Sequence, residues 1–475
     1  MLFNSLTFIV FFICVFAVFW LLKNHLKIQN AFLLAVSALF YGWWDWRFLV
    51  LLFAAAYIDF YFGQVIYNST NQRKRQVYIW LSAGLNLGLL AYFKYFNFFI
   101  DSFISAMESV GMQTNVHTLD IILPVGISYY TFQSMSYSLD IYRNKLKPTD
   151  SLLDYMAFIC FFPQLVAGPV ERANFLLPQF SKKKIFNYED ASDGLRLILY
   201  GFFKKIVIAD NIALRVDPIF NNPTNYTGFE VFLGALFFVM QLYADLSGYT
   251  DIARGTARLL DFKLSKNFET PFFSTNVPEE WRKWHITITT WFRDYFFLPI
   301  VKMKIEHLAW KIFTTILLFV VIGFWHGANN TFLIFGFIIG LFYIPTLMSK
   351  KYKWLKEGIK FFNTNPYIRP VSMLFTYTLF SLTTVFFRAK GVPQAIDYYK
   401  AIFQPNFWGM SYFISDMLIG VILFQVFEWF MQHREHQFEV SFWPAYLRRL
   451  SYVVMIVLIL LMGHFGEAPF YYFQF

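Results

Sequence analysis

The stretch Lys311 to Lys350 reads KIFTTILLFVVIGFWHGANNTFLIFGFIIGLFYIPTLMSK, two apolar runs, Ile312 to Phe324 and Thr331 to Met348, joined by Trp325-His326-Gly327-Ala328-Asn329-Asn330. A helix entering a bilayer at Ile312 rises about 1.5 Å per residue, so His326 lies about 21 Å in, short of the ~30 Å hydrocarbon thickness. An ionisable side chain at that depth is costly and normally faces a cavity or a partner, which makes His326 a candidate functional residue. The alternative is a histidine that only hydrogen-bonds a neighbouring helix. Gly327 suits the break because glycine permits unusual backbone angles, and Asn330 is placed to cap the helix beginning at Thr331.

Outward from this hairpin, composition sets the class. Of 475 residues 57% are hydrophobic and only 15% charged, too many long apolar runs for a soluble globular chain. The expectation is an all-α polytopic membrane protein forming a single domain, 1–475. Phe (63), Tyr (29) and Trp (14) fit lipid-facing helices with interfacial aromatic belts. The net charge of +10 does not indicate nucleic acid, because Lys and Arg are dispersed among loops between spans, where a positive-inside bias explains them. The two cysteines, Cys14 and Cys160, sit inside apolar runs and build neither a disulfide framework nor a metal site.

Along the chain, spans are expected at Ser5 to Leu22 (uncleaved), Asn30 to Trp43, from Trp46 to about Tyr67, Val77 to Phe93 and Asp120 to Leu139. Pro163, Gly168-Pro169 and Pro178 break the apolar Leu152 to Phe180 into a re-entrant element. Leu195 to Leu214 then crosses, Lys204 and Lys205 standing either near the cytoplasmic end of an oblique helix or as a sign that the span lies elsewhere, and Val231 to Ser247 returns. Trp281, Trp284, His285, Ile288, Trp291, Phe292 and Tyr295 share one face at helical spacing, predicting an amphipathic helix on or dipping into the membrane that starts near Asn276 and Pro278. Beyond the hairpin, spans follow at Pro370 to Phe387, Ile414 to Phe430 and Ser451 to about Met462. The alternation of basic and non-basic loops puts both termini outside the cytoplasm.

Sequence signatures of soluble enzymes are missing: there is no nucleophile elbow, dinucleotide turn, phosphate loop or zinc helix. The His433-Arg434-Glu435-His436 segment reads as a charged loop rather than a metal site. What remains is the pair His285 and His326 among aromatic residues. A desolvated neutral imidazole can act as general base toward a hydroxyl attacking an activated acyl group. Arg282, Lys283 and Arg293 are candidates for the phosphates of a cytosolic donor, and equally for lipid headgroups.

Trp281-Arg282-Lys283-Trp284-His285-Ile286, Trp291-Phe292-Arg293-Asp294-Tyr295 and Gly323-Phe324-Trp325-His326-Gly327-Ala328-Asn329 closely resemble membrane-bound O-acyltransferases, in particular the alginate O-acetyltransferase branch. Pro124-Val125-Gly126-Ile127-Ser128, Phe162-Pro163-Gln164, Ala167-Gly168-Pro169-Val170 and Asp245-Leu246-Ser247-Gly248-Tyr249 extend the resemblance over almost the whole chain. Asn330 departs from the pattern, in which an aromatic often follows Asn329.

The resemblance implies a multi-helix bundle around a transmembrane tunnel, with His326 as the membrane-embedded catalytic histidine and His285 as the second, cytosolic-side one. Trp284 and Trp325 join the basic residues as candidate donor-binding positions. It further implies no bound cofactor or metal, acetyl-CoA as donor, a bacterial inner membrane location, and an extracytoplasmic SGNH-type partner that acetylates an exported polysaccharide. D-alanyl or peptidoglycan O-acyl transfer is the enzymatic alternative, and a non-enzymatic polysaccharide transporter the other. The terminal Phe470-Tyr471-Tyr472-Phe473-Gln474-Phe475 looks like the end of the small membrane partner in teichoic acid D-alanylation, which makes Tyr472 a candidate acyl relay; otherwise it is part of an aromatic anchor.

Overall fold

The computed structural model describes residues 1–166, 168–304, 307–409, 412–463 and 470–471, with backbone alone at 412 and 413. Among these the secondary structure is helical throughout, and eight stretches are long and apolar enough to cross a membrane. They are Arg47–Asn68, Gln72–Ser109, Gly228–Leu259, Leu308–His326, Asn330–Met348, Arg369–Arg388, Ile414–Met431 and Ala445–Met462; Leu6–Leu21 is apolar but shorter. The all-α polytopic class therefore holds. The chain divides into two compact units, Met1–Leu195 with Ala253–Ser265, and Arg196–Ile252 with Lys266–Phe475.

The first unit is built around Ile127–Tyr142, whose residues are almost all buried and which packs against Arg47–Asn68 and Gln72–Leu90. Gly126 precedes it at φ +76, where a Cβ would lie 2.4 Å from the Leu165 carbonyl oxygen, so both angle and space require glycine. The segment expected to be broken by prolines is divided into Leu152–Cys160, Phe162–Leu165 and Ala173–Phe180; Pro163 stands at the start of the second, but Pro178 lies inside the third and breaks nothing. Two expected boundaries shift. The expected span at Asp120 to Leu139 is helical only from Ile127, the residues before it lacking helical hydrogen bonding. Helix continues past Phe93 through a π turn, Ala91–Tyr95, into Phe96–Ser109, because that stretch contains neither glycine nor proline to stop it.

In the second unit the part of Gly228–Leu259 up to Ile252 is its buried axis, whereas Ala445–Met462 is almost wholly exposed and left to lipid. Leu308–His326 and Asn330–Met348 form a tight antiparallel pair. A Cβ at Gly336 would stand 2.1 Å from the Phe319 carbonyl oxygen, and one at Gly323 2.2 Å from that of Phe332, the small-residue contact that brings apolar helices together without a hydrophobic driving force.

Lys204 and Lys205 are not at a helix end. They lie on an interior π segment, Phe203–Ala209, between Tyr188–Phe202 and Asp210–Asn221. Lys204 Nζ is 2.5 Å from Asp251, and Lys205 Nζ is 2.8 Å from Asp210 and 2.7 Å from Asp245. Partners supplied by the neighbouring buried helix allow charges at positions that hydropathy alone disfavours.

Candidate functional site

The Leu308–His326 helix ends at His326 because Gly327 turns to extended backbone. Glycine is needed there for space rather than for its angle: φ is −165, which any residue adopts, but a Cβ would come 2.1 Å from the Phe332 ring. The cap is Asn329, not Asn330; its side-chain oxygen accepts from the Thr331 N–H at 3.1 Å while its amide donates to the Lys390 carbonyl at 2.8 Å. Both ends of the joint are thus tied down, and His326 is held with 6% exposure. Its ring lies 4.6 Å from that of Trp325 and 5.0 Å, edge-on, from that of Phe387.

The His285 segment corrects the expectation of one amphipathic helix. Val277–Lys283 starts as expected, with Asn276 accepting from the Glu279 N–H, but stops before Trp284, and a separate helix Ile286–Phe292 follows. Between them His285 adopts φ 44 and ψ 52, the left-handed region, an uncommon state for a side chain larger than glycine. Asn267 holds the break open: its carbonyl accepts the Ile286 N–H, and its side-chain oxygen accepts from both the Thr287 N–H and hydroxyl. The aromatic face does not lie on lipid. Trp281, Trp284, His285, Ile288, Trp291 and Phe292 are buried in protein.

Trp325 is the element common to both histidines. Its ring is 5.9 Å from that of His285, on whose other neighbour, Phe268, the separation is also 5.9 Å. Burial pulls the His285 imidazole down from 6.5 to about 3, so it is neutral across the physiological range. A neutral ring offers one N–H donor and one acceptor, but so low a proton affinity makes it a poor base.

Beside His326 is a cavity of about 10 Å³, lined chiefly by aromatic groups: Trp281, Trp284, Phe335, Phe380 and Phe387, with Leu246. It has room for about one water. Walls of this kind exclude bulk solvent, which favours transfer of an activated acyl group to a chosen hydroxyl over its hydrolysis. Phe335, Phe380 and Phe387 were invisible in the sequence as site residues; in a chain with 63 phenylalanines nothing distinguishes them.

The remaining candidates separate. Trp284 is buried at the cavity with Trp281, and Trp325 between the histidines. Arg282 is exposed, Lys283 pairs with Glu279 at 2.9 Å, and exposed Arg293 pairs with Asp294 at 2.7 Å. Tyr472 lies outside the described residues. Its preceding residues are described: Phe470 is 1% exposed, and the Tyr471 N–H donates to Asp245 Oδ2 at 2.9 Å. In the charged loop His436 is buried, its Nδ1 accepting from the Phe438 N–H, and among the described residues no group of three His, Cys, Asp or Glu could hold a metal ion.

A polytopic helical bundle with two buried histidines flanking one indole, His326 also lining a small aromatic cavity, suits acyl transfer inside a membrane, and residues 143–388 match the model of the membrane-bound O-acyltransferase family. The chain belongs to that family and is a multi-pass membrane O-acyltransferase. It is 35% identical to the "Probable alginate O-acetylase AlgI" of Pseudomonas putida, over 89% of this chain and 84% of that protein. It is 32% identical to a peptidoglycan O-acetyltransferase of Helicobacter pylori (86% and 80%), and 30% identical to a teichoic acid D-alanyltransferase of Bacillus subtilis over a smaller share (49% and 62%).

Proposed function

We propose that this chain, acting as one functional domain in a bacterial inner membrane with both termini extracytoplasmic, moves an acetyl group from cytosolic acetyl-CoA to the outer face for O-acetylation of an exported polysaccharide. An SGNH-type extracytoplasmic acetyltransferase is the proposed partner for the last transfer. The observation that carries this is the pairing of His285 and His326 through Trp325, with His326 lining a small aromatic cavity. Acetyl rather than D-alanyl is favoured because the relatives named for O-acetylation are matched over most of their length. The Helicobacter relative supports peptidoglycan as the second acceptor class.

In this reading His326 is the base. An acceptor hydroxyl, assigned to Tyr472, attacks the thioester carbonyl; its proton passes to His326, the C–S bond breaks as the phenolic C–O bond forms, and the thiolate leaves as CoA after protonation. A phenol with pKa about 10 needs such a base within hydrogen-bond reach. The tyrosyl ester then passes its acetyl group to the next hydroxyl, restoring the phenol. Neutral His285 orients the donor thioester through its hydrogen-bonding ring, and Trp284 and Trp325 wall the acyl end. Arg282, Lys283 and Arg293 meet the donor phosphates.

The test is transfer by vesicles of purified protein carrying labelled acetyl-CoA. Wild type should deliver label to an external hydroxyl acceptor, and Tyr472→Phe, which keeps the ring, should not. Delivery at the wild-type rate by Tyr472→Phe would remove the relay and leave an aromatic anchor. Orientation is tested separately with a cysteine at Asn4, which should react with an impermeant thiol reagent on intact cells.

A further inference from the structure

We propose that Asp245 and Lys205 are positioning residues that seat the C-terminal segment of this chain beside the acyl-transfer site, through contacts to Phe470 and Tyr471; the functional meaning of the seat rests on the Tyr472 relay. The starting observation is a buried ionic cluster that the histidine chemistry does not use. Lys205 and Asp245 are each 2% exposed, a placement that is expensive unless every charge is matched. Asp210 already supplies Lys205 with one carboxylate at 2.8 Å, so charge pairing alone does not explain a second at 2.7 Å.

The second carboxylate divides its oxygens between two donors. Oδ1 accepts from Lys205 Nζ at 2.7 Å, and Oδ2 from the Tyr471 backbone N–H at 2.9 Å. The same ammonium stands 4.6 Å from the centre of the Phe470 ring, which also meets Tyr249 edge-on at 4.5 Å. The Tyr471 ring rests 5.5 Å from Phe238 and 5.3 Å from the Arg388 guanidinium. The segment is therefore gripped at its backbone by a carboxylate and at both rings by cations, in the interior of its unit.

Two chain adjacencies bring this seat to the site. Asp245 precedes Leu246, which lines the cavity beside His326, and Arg388 follows Phe387, whose ring packs 5.0 Å from that of His326. Residues one step away from the two holding Tyr471 thus touch the His326 environment from two different helices. Holding Tyr471 in this way restricts the residue that follows it, which in the relay shortens the search its hydroxyl makes for the thioester.

The test uses the geometry of the carboxylate. Asp245→Asn is isosteric but keeps a single acceptor oxygen, which the Lys205 ammonium takes as the stronger, charged donor, so the Tyr471 N–H is left facing the amide NH2 and is released. Tyr471→Pro removes that N–H from the other side. In purified full-length protein, digestion with carboxypeptidase Y read by intact mass should stall at Tyr471 in wild type and proceed past it in Asp245→Asn. Each variant should lower kcat for acetyl transfer at least tenfold with the dissociation constant for acetyl-CoA unchanged, and the double variant should be no worse than either alone. Unchanged trimming of Asp245→Asn, or additive losses in the double variant, overturns the seat and leaves Asp245 a structural counter-ion. If Tyr472→Phe transfers normally, the relay fails by itself, and the trimming result still decides whether the seat exists.

Discussion

The His326 joint and the His285 joint do the same thing by different means. At His326 the helix is ended by its own sequence: Gly327 leaves room for the Phe332 ring, and Asn329 caps the next helix two residues on. At His285 nothing local ends the helix. Trp284 and His285 fit a continuing helical period, and the break depends on Asn267, eighteen or more residues earlier in the chain, hydrogen-bonding Ile286 and Thr287. The first histidine stands at a locally encoded site, the second at one created by long-range contact. Substitutions around the two should therefore fail differently.

The largest effect is expected from His326→Ala, which removes the proposed base while Gly327 and Asn329 keep the joint. Acetyl transfer in vesicles should fall by about 100-fold or more, with unchanged size-exclusion behaviour and melting. Near-normal transfer would make His326 a packing residue. His285→Ala should lose activity less steeply and in a different parameter: use of acetyl-CoA is impaired, with a raised KM, because the base is intact. Unchanged turnover at all donor concentrations would reduce His285 to a structural residue.

Asn267→Ala separates the two joints most directly. It deletes the acceptor for the Thr287 N–H and hydroxyl, both in a buried setting, and should cost about 1–3 kcal/mol in thermal or denaturant unfolding, together with the same rise in donor KM as His285→Ala. A loss of His326 chemistry alone would contradict the assignment of Asn267 to the His285 segment. The pH dependence gives a smaller signature. The unfolded His285 takes up a proton near its ordinary 6.5, the buried one only near about 3, so protons favour the unfolded state in between and stability falls as pH drops from 6.5 toward 3. The slope attributable to this group is at most about 1.4 kcal/mol per pH unit, and it should be missing in His285→Phe. Lys283→Gln should be the mildest, under about 1 kcal/mol on melting, since its pair with Glu279 is partly solvated; a raised donor KM in this variant would connect the basic edge to donor phosphates.

The same contrast explains what could be read in advance. The hairpin, its histidine and the helical membrane class were legible because apolar run length and glycine act over a few residues, while the cap itself fell one residue earlier than expected, on Asn329. Periodicity singled out Trp281, Trp284, His285 and Ile288, which are all buried, but the single helical face it predicted is divided between two helices, and period alone does not say whether such residues meet lipid or protein. Lys204 and Lys205 were misassigned for a related reason. Their partners Asp210, Asp245 and Asp251 are the information, and two of these belong to another helix.

By itself, then, the sequence determined the solvent this protein folds in and the break at Gly327 beside His326, both consequences of local sterics and of the transfer of apolar side chains out of water. Only the tertiary structure decided that Trp325 joins His326 to His285, that three phenylalanines among 63 wall the cavity, and that Phe470 and Tyr471 close on Asp245 and Lys205. Ring contacts, shared carboxylates and desolvation are properties of groups brought together from distant parts of the chain, and no local pattern of residues encodes which of many equivalent aromatics or charges will meet.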